Sequence, residues 1–123
     1  MSERQVASPR GEGALPPQLR GDPAVWETLQ RWRTERRRFV LASVTESRGF
    51  TPRKAGAHML VDSGGETAGT IGGGAIEREV LDAARTLFLS GGSTMIERHL
   101  TQELGMCCGG EMSVFLEVVE PAP

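Results

Sequence analysis

No stretch of this 123-residue chain approaches the roughly 18 consecutive apolar residues that a membrane-spanning helix needs. The N-terminus has no apolar h-region of the kind found in signal peptides, so a cytoplasmic location is expected. Tyrosine is absent and aromatic residues make up 5% of the chain, too few for a base-stacking platform. Charge of one sign is also lacking. A net charge of −2 gives no general attraction to nucleic acid. There are only two cysteines, Cys107 and Cys108, and they are adjacent. Neighbouring Cα atoms lie about 3.8 Å apart, below the usual disulfide span of about 4.4–6.8 Å. A vicinal bridge would close no useful loop. Both are read as reduced thiols.

What is present is the composition of a soluble domain, with 38% hydrophobic and 24% charged residues. Residues 1–21 are thin in apolar side chains and hold Pro9, Pro16 and Pro17; they are expected to form a flexible tail, with one domain over 22–123. Asp22 and Pro23 are suited to the N-cap and first turn of a helix that carries Val25, Leu29 and Trp32 at helical spacing. That helix runs into Arg31, Arg33, Arg36, Arg37 and Arg38, read either as a solvated helix end or as an anion or partner patch. Strands are predicted over Phe39–Thr45, His58–Val61, Glu66–Ile71, Thr94–Leu100 and Glu111–Val119. Asp62-Ser63-Gly64-Gly65 signals a hairpin turn between the second and third. A second helix over Ile76–Leu89 has Ile76, Val80, Ala84 and Leu87 in one stripe and stops at Gly91-Gly92. The expected fold is α+β: a single mixed sheet of about five strands packed with two helices.

Three segments carry chemistry. Leu104-Gly105-Met106-Cys107-Cys108-Gly109-Gly110 places two thiols on a glycine-rich loop. Thiolates suit soft metals or act as nucleophiles, whereas a buried cysteine can equally be a small hydrophobe. A closed zinc site is disfavoured, since only His58 and His99 could complete four ligands and the spacing is not C-x-x-C. His99 reads as an ordinary strand residue. Thr70-Ile71-Gly72-Gly73-Gly74-Ala75-Ile76-Glu77 places a glycine loop before a helix. Such a loop can bind an anion through successive N–H groups, or can permit close helix–sheet packing. It is neither a Walker A loop nor a dinucleotide fingerprint. The loop with Arg48, Arg53 and Lys54 is basic; Arg53 could grip phosphate bidentately, or the loop could simply be solvated.

Together the stretches Gly49–Val61, Gly69–Glu77 and Leu104–Glu111 resemble the N-terminal domain of the XdhC/CoxI family, maturation factors for molybdenum hydroxylases. The Leu-Gly-Met-Cys-Cys-Gly-Gly element is the most specific part, and Ala75, where some CoxI-type members carry cysteine, puts the chain nearer the XdhC side. The resemblance implies a chaperone, not a catalyst. It would bind molybdenum cofactor (molybdopterin) transiently, assist its sulfuration and aid its insertion into a hydroxylase such as xanthine dehydrogenase or CO dehydrogenase. It further implies as partners the apo-hydroxylase, a cysteine desulfurase and, since family chains are usually longer, a separate Rossmann-like subunit. A homodimer is the expected assembly, with no nucleic-acid or membrane partner. The cofactor-binding residues implied are Arg53, Gly72, Gly73, Gly74, Glu77, Cys107, Cys108, Gly109 and Gly110, with Arg53 and the three glycines of the first loop holding the phosphate. Cys107 and Cys108 would ligate the metal or relay sulfur. The alternative is an interaction subunit that pairs with a Rossmann-like partner or the hydroxylase and binds no cofactor itself.

Overall fold

The computed structural model describes residues 22–48, 56–100 and 110–121. The expected tail over 1–21 lies outside them. Helix α1 spans Pro23–Thr34. It opens as the sequence predicts: Asp22 Oδ1 accepts from the Ala24 N–H at 2.9 Å, and Pro23 occupies the first turn, where its missing donor costs nothing. It closes in a Schellman motif. The N–H of Arg37 reaches the Trp32 carbonyl, and that of Arg36 the Arg33 carbonyl. Arg36 takes the left-handed conformation this requires, with φ of 60°.

The strands are β1 (Phe39–Arg48), β2 (His58–Asp62), β3 (Thr67–Gly69), β4 (Ser93–Leu100) and β5 (Gly110–Val119). Helix α2 spans Gly74–Ser90 between β3 and β4. The sheet order is β3-β2-β1-β5-β4. Every neighbouring pair is antiparallel, so the sheet is antiparallel throughout where a mixed one was expected. The α+β class stands, with two helices and five strands among the described residues.

Side-chain alternation divides the sheet's two faces. Val40, Ala42, Val44, Met59, Val61, Ile96, Met112, Val114 and Leu116 pack with Ile76, Val80, Ala84 and Leu87 of α2. Phe39 and Leu60 face the other way, onto Val25 and Trp32 of α1. The result is three layers, a helix on each face. Each fully buried aliphatic side chain contributes about 1.5–3 kcal/mol, so the α2 face is the larger source of stability.

Two tethers fix α1 to the sheet. Gly69 has a φ of 78°, and a Cβ there would run into the Val25 side chain and the His58 carbonyl. Glycine is therefore what lets β3 pass under α1. At the other end Arg37 lies 5.3 Å over the Trp32 ring and donates to Glu35 at 2.7 Å, Asp62 at 3.0 Å and Glu66 at 2.9 Å. Asp62 in turn organises the β2–β3 hairpin, since its Oδ1 accepts from the N–H groups of Gly64 and Glu66. Arg38 is held by Glu120 and the Phe88 carbonyl. These two arginines clip the fold together, while the patch reading of the cluster loses their charges to internal partners. Among the described residues, no helix is long and apolar enough to cross a membrane.

Candidate functional site

The antiparallel pairing brings strand ends together. β1 finishes at Arg48, opposite Glu111 near the start of β5. β4 finishes at Leu100, opposite Gly110. β2 begins at His58, and β3 finishes at Gly69 opposite Met59. All five ends point toward the same end of the sheet along a staggered edge: Gly69 is level, through Met59 and Ala42, with Leu116 of β5, whereas Leu100 is level with Gly110. The three chemistry-bearing connections are therefore rooted there: 49–57 between β1 and β2, 70–73 between β3 and α2, and 101–109 between β4 and β5. Arg53, Cys107, Cys108 and Gly109 themselves lie outside the described residues. Gly110 is the first residue of β5.

The glycine loop is described in full. β3 is shorter than the Glu66–Ile71 expected from sequence because Thr70 and Ile71 leave the ladder for a different partner, Glu77. Glu77 Oε2 accepts from the Ile71 N–H at 3.1 Å, from the Gly73 N–H at 2.8 Å and from the Thr70 hydroxyl. The Gly72 N–H donates to Thr70 Oγ1 at 3.1 Å. One carboxylate in the first turn of α2 thus gathers the loop around itself, where the helix dipole also favours negative charge. Partial burial pushes the Glu77 carboxyl up. The donors from Thr70 and from the Gly73, Ile71 and Gly72 backbone outweigh that and hold it below the ordinary carboxylate value of 4.5.

The three glycines all have positive φ: 134° at Gly72, 75° at Gly73 and 62° at Gly74. Among the described residues, a Cβ at Gly73 or Gly74 would meet nothing within 4 Å. Close packing against them is therefore not why glycine stands at these two positions. Backbone conformation is.

At the same end of the sheet, Trp26 of α1 lies edge-on to His58, with ring centroids 4.7 Å apart. His58 Nδ1 lies 3.0 Å from Ser43 Oγ, its cross-strand neighbour on β1. Trp26 Nε1 is buried with no hydrogen-bond partner among the described residues. Sequence reading missed this group, and it missed Thr70 as a working residue. The sequence signal for Thr70 is a hydroxyl residue seven positions ahead of a first-turn glutamate across three glycines. Among the described residues no three His, Cys, Asp or Glu side chains gather as metal ligands.

Comparison with known proteins agrees with this layout. The model of the XdhC and CoxI family matches residues 32–99, from the end of α1 to β4, with the glycine loop inside the match. The uncharacterized protein YqeB of Escherichia coli (strain K12) is 37% identical over 84 residues, covering 65% of this chain and 15% of that protein. A crystal structure described as a xanthine dehydrogenase from Bacillus halodurans superposes with a TM-score of 0.71 at 26% identity, covering 79% of this chain and 31% of that one. The chain thus spans less than a third of the length of either relative. With over half of its residues inside the family match and the same fold in a solved relative, the chain belongs to the XdhC and CoxI family.

Proposed function

We propose that the protein handles molybdenum cofactor as cargo, binding molybdopterin transiently while it is sulfurated and inserted into a molybdenum hydroxylase. Family membership and the likeness to a protein described as a xanthine dehydrogenase support the hydroxylase setting. The observation that carries the finer reading is the rooting of three connections at one end of the sheet. Molybdopterin has a phosphate at one end and a soft, sulfur-ligated metal at the other. A basic loop with Arg53 suits the first, while the glycine loop of Gly72, Gly73 and Gly74, ordered by Glu77, offers backbone that the cargo can approach closely. Thiolates at Cys107 and Cys108, beside Gly109 and Gly110, suit the second. In this reading Arg53 pairs with the phosphate, and the cysteines face molybdenum or carry sulfur received from a cysteine desulfurase.

The test is anaerobic purification from a molybdopterin-producing host, followed by oxidation and pterin fluorescence. Wild-type protein is expected to carry a fluorescent pterin that the Cys107→Ala/Cys108→Ala variant loses. Wild-type protein without pterin would overturn the reading.

A further inference from the structure

We infer that Glu77 is the glycine loop's resident anion: its carboxylate takes the Ile71 and Gly73 N–H groups, excludes a ligand phosphate from that nest, and leaves the loop to meet its cargo across the open face at Gly73 and Gly74. The role in cargo binding rests on the reading above; the exclusion of phosphate does not. A glycine loop at a helix N-terminus ordinarily offers its N–H groups to an incoming oxyanion. Here those of Ile71 and Gly73 end on Glu77 Oε2 and that of Gly72 ends on Thr70 Oγ1, which itself donates to Glu77. The anion that such a loop would bind is thus supplied by the chain, four residues beyond Gly73. A phosphate seated on the same donors would have to displace the carboxylate or lie against it, like charge on like charge. Glu77 is therefore a positioning residue that presets the loop, and not a ligand to the cargo. Attraction for the phosphate then falls to side chains outside the loop, Arg53 among those the sequence offers.

Toward the described residues the loop's outer face is open. Among them nothing lies within 4 Å of where a Cβ of Gly73 or Gly74 would stand, and both have φ values that side-chain-bearing residues rarely adopt. Close backbone approach, with no side chain between, is what this face provides.

The experiment follows the backbone amide signals of Ile71 and Gly73 by NMR while inorganic phosphate is added to the full chain. In wild-type protein these signals are expected to stay in place at millimolar phosphate. In Glu77→Ala the emptied nest is expected to bind phosphate at the same two amides, about tenfold or more tightly than wild type, since a contact repulsion is removed. Saturable shifts at Ile71 and Gly73 in the wild type would overturn the inference. So would a folded Glu77→Ala protein that gains no phosphate binding. Glu77→Gln, which keeps the shape and loses the charge, serves where Glu77→Ala does not fold, with an intermediate gain expected and no gain counting against the inference. Pterin content of the wild type is measured alongside. Absent pterin strikes the cargo reading and leaves the phosphate result standing, whereas shifted wild-type amides with pterin present strike only the role of Glu77.

Discussion

Replacing Glu77 by glutamine tests the site through stability alone. The wild-type carboxylate accepts from two backbone N–H groups and the Thr70 hydroxyl, and sits in the first turn of α2. Glutamine keeps the volume and can place its carbonyl oxygen where Oε2 stands, but it carries no charge to strengthen those bonds or to meet the helix dipole. Hydrogen bonds to a charged group contribute about 1.5–3 kcal/mol, and the helix N-terminus adds about 0.3–1 kcal/mol. Glu77 is only partly buried, so water compensates a share of this, and the expected loss at pH 7 is about 1–2 kcal/mol. In a domain of this size that lowers the melting temperature by roughly 4–10 °C. The pH dependence is the sharper measurement. The folded-state pKa of Glu77 lies below its ordinary value of 4.5, so its stabilisation is complete above that value and is lost as pH falls through the lower, folded-state one. Urea denaturation of both proteins from pH 7 down to pH 3 should show a gap that is constant above about pH 5 and closes in acid. A gap that stays constant to pH 3, or a glutamine variant as stable as wild type at pH 7, would refute this account of the loop.

Four further outcomes are expected. Thr70→Ala removes one donor to Glu77, so the acid limb of the stability curve should move to higher pH, toward the ordinary carboxylate range, as read by the same urea series. Gly69→Ala places a methyl against the Val25 side chain and the His58 carbonyl at positive φ and should cost about 3 kcal/mol, measured by thermal melting; a loss under about 1 kcal/mol would deny the close passage of β3 under α1. Arg36→Gly should be more stable than Arg36→Ala by about 0.5–1 kcal/mol in thermal melting, since both lose the arginine side chain and only glycine is at ease in the left-handed position of the α1 cap. Cys107→Ala/Cys108→Ala should abolish pterin co-purification, read by pterin fluorescence after oxidation.

Local signals in the sequence reach as far as local physics does. The Asp22-Pro23 start of α1, the Asp62–Gly65 turn and the stripe Ile76, Val80, Ala84, Leu87 are each set by neighbours within a turn or two, and all three stand in the structure. The boundaries that moved did so for long-range reasons. β3 stops at Gly69 because Thr70 and Ile71 bond to a side chain on the next helix, and β1 runs on to Arg48 because β5 is there to pair with it. Pairing partners do not show in periodicity, which is why an antiparallel sheet could be expected as mixed.

The site divides in the same way. Sequence alone singled out the glycine loop, the basic loop and the adjacent thiols, because glycine, arginine and cysteine have distinct chemistry wherever they stand. Only tertiary structure rooted all three connections at one end of the sheet, through the order β3-β2-β1-β5-β4. Only tertiary structure turned Glu77 inward onto the Ile71 and Gly73 donors. Residue type fixes what a group can bond to; which partner it meets is decided by hydrogen-bond pairing and burial between segments distant in the chain.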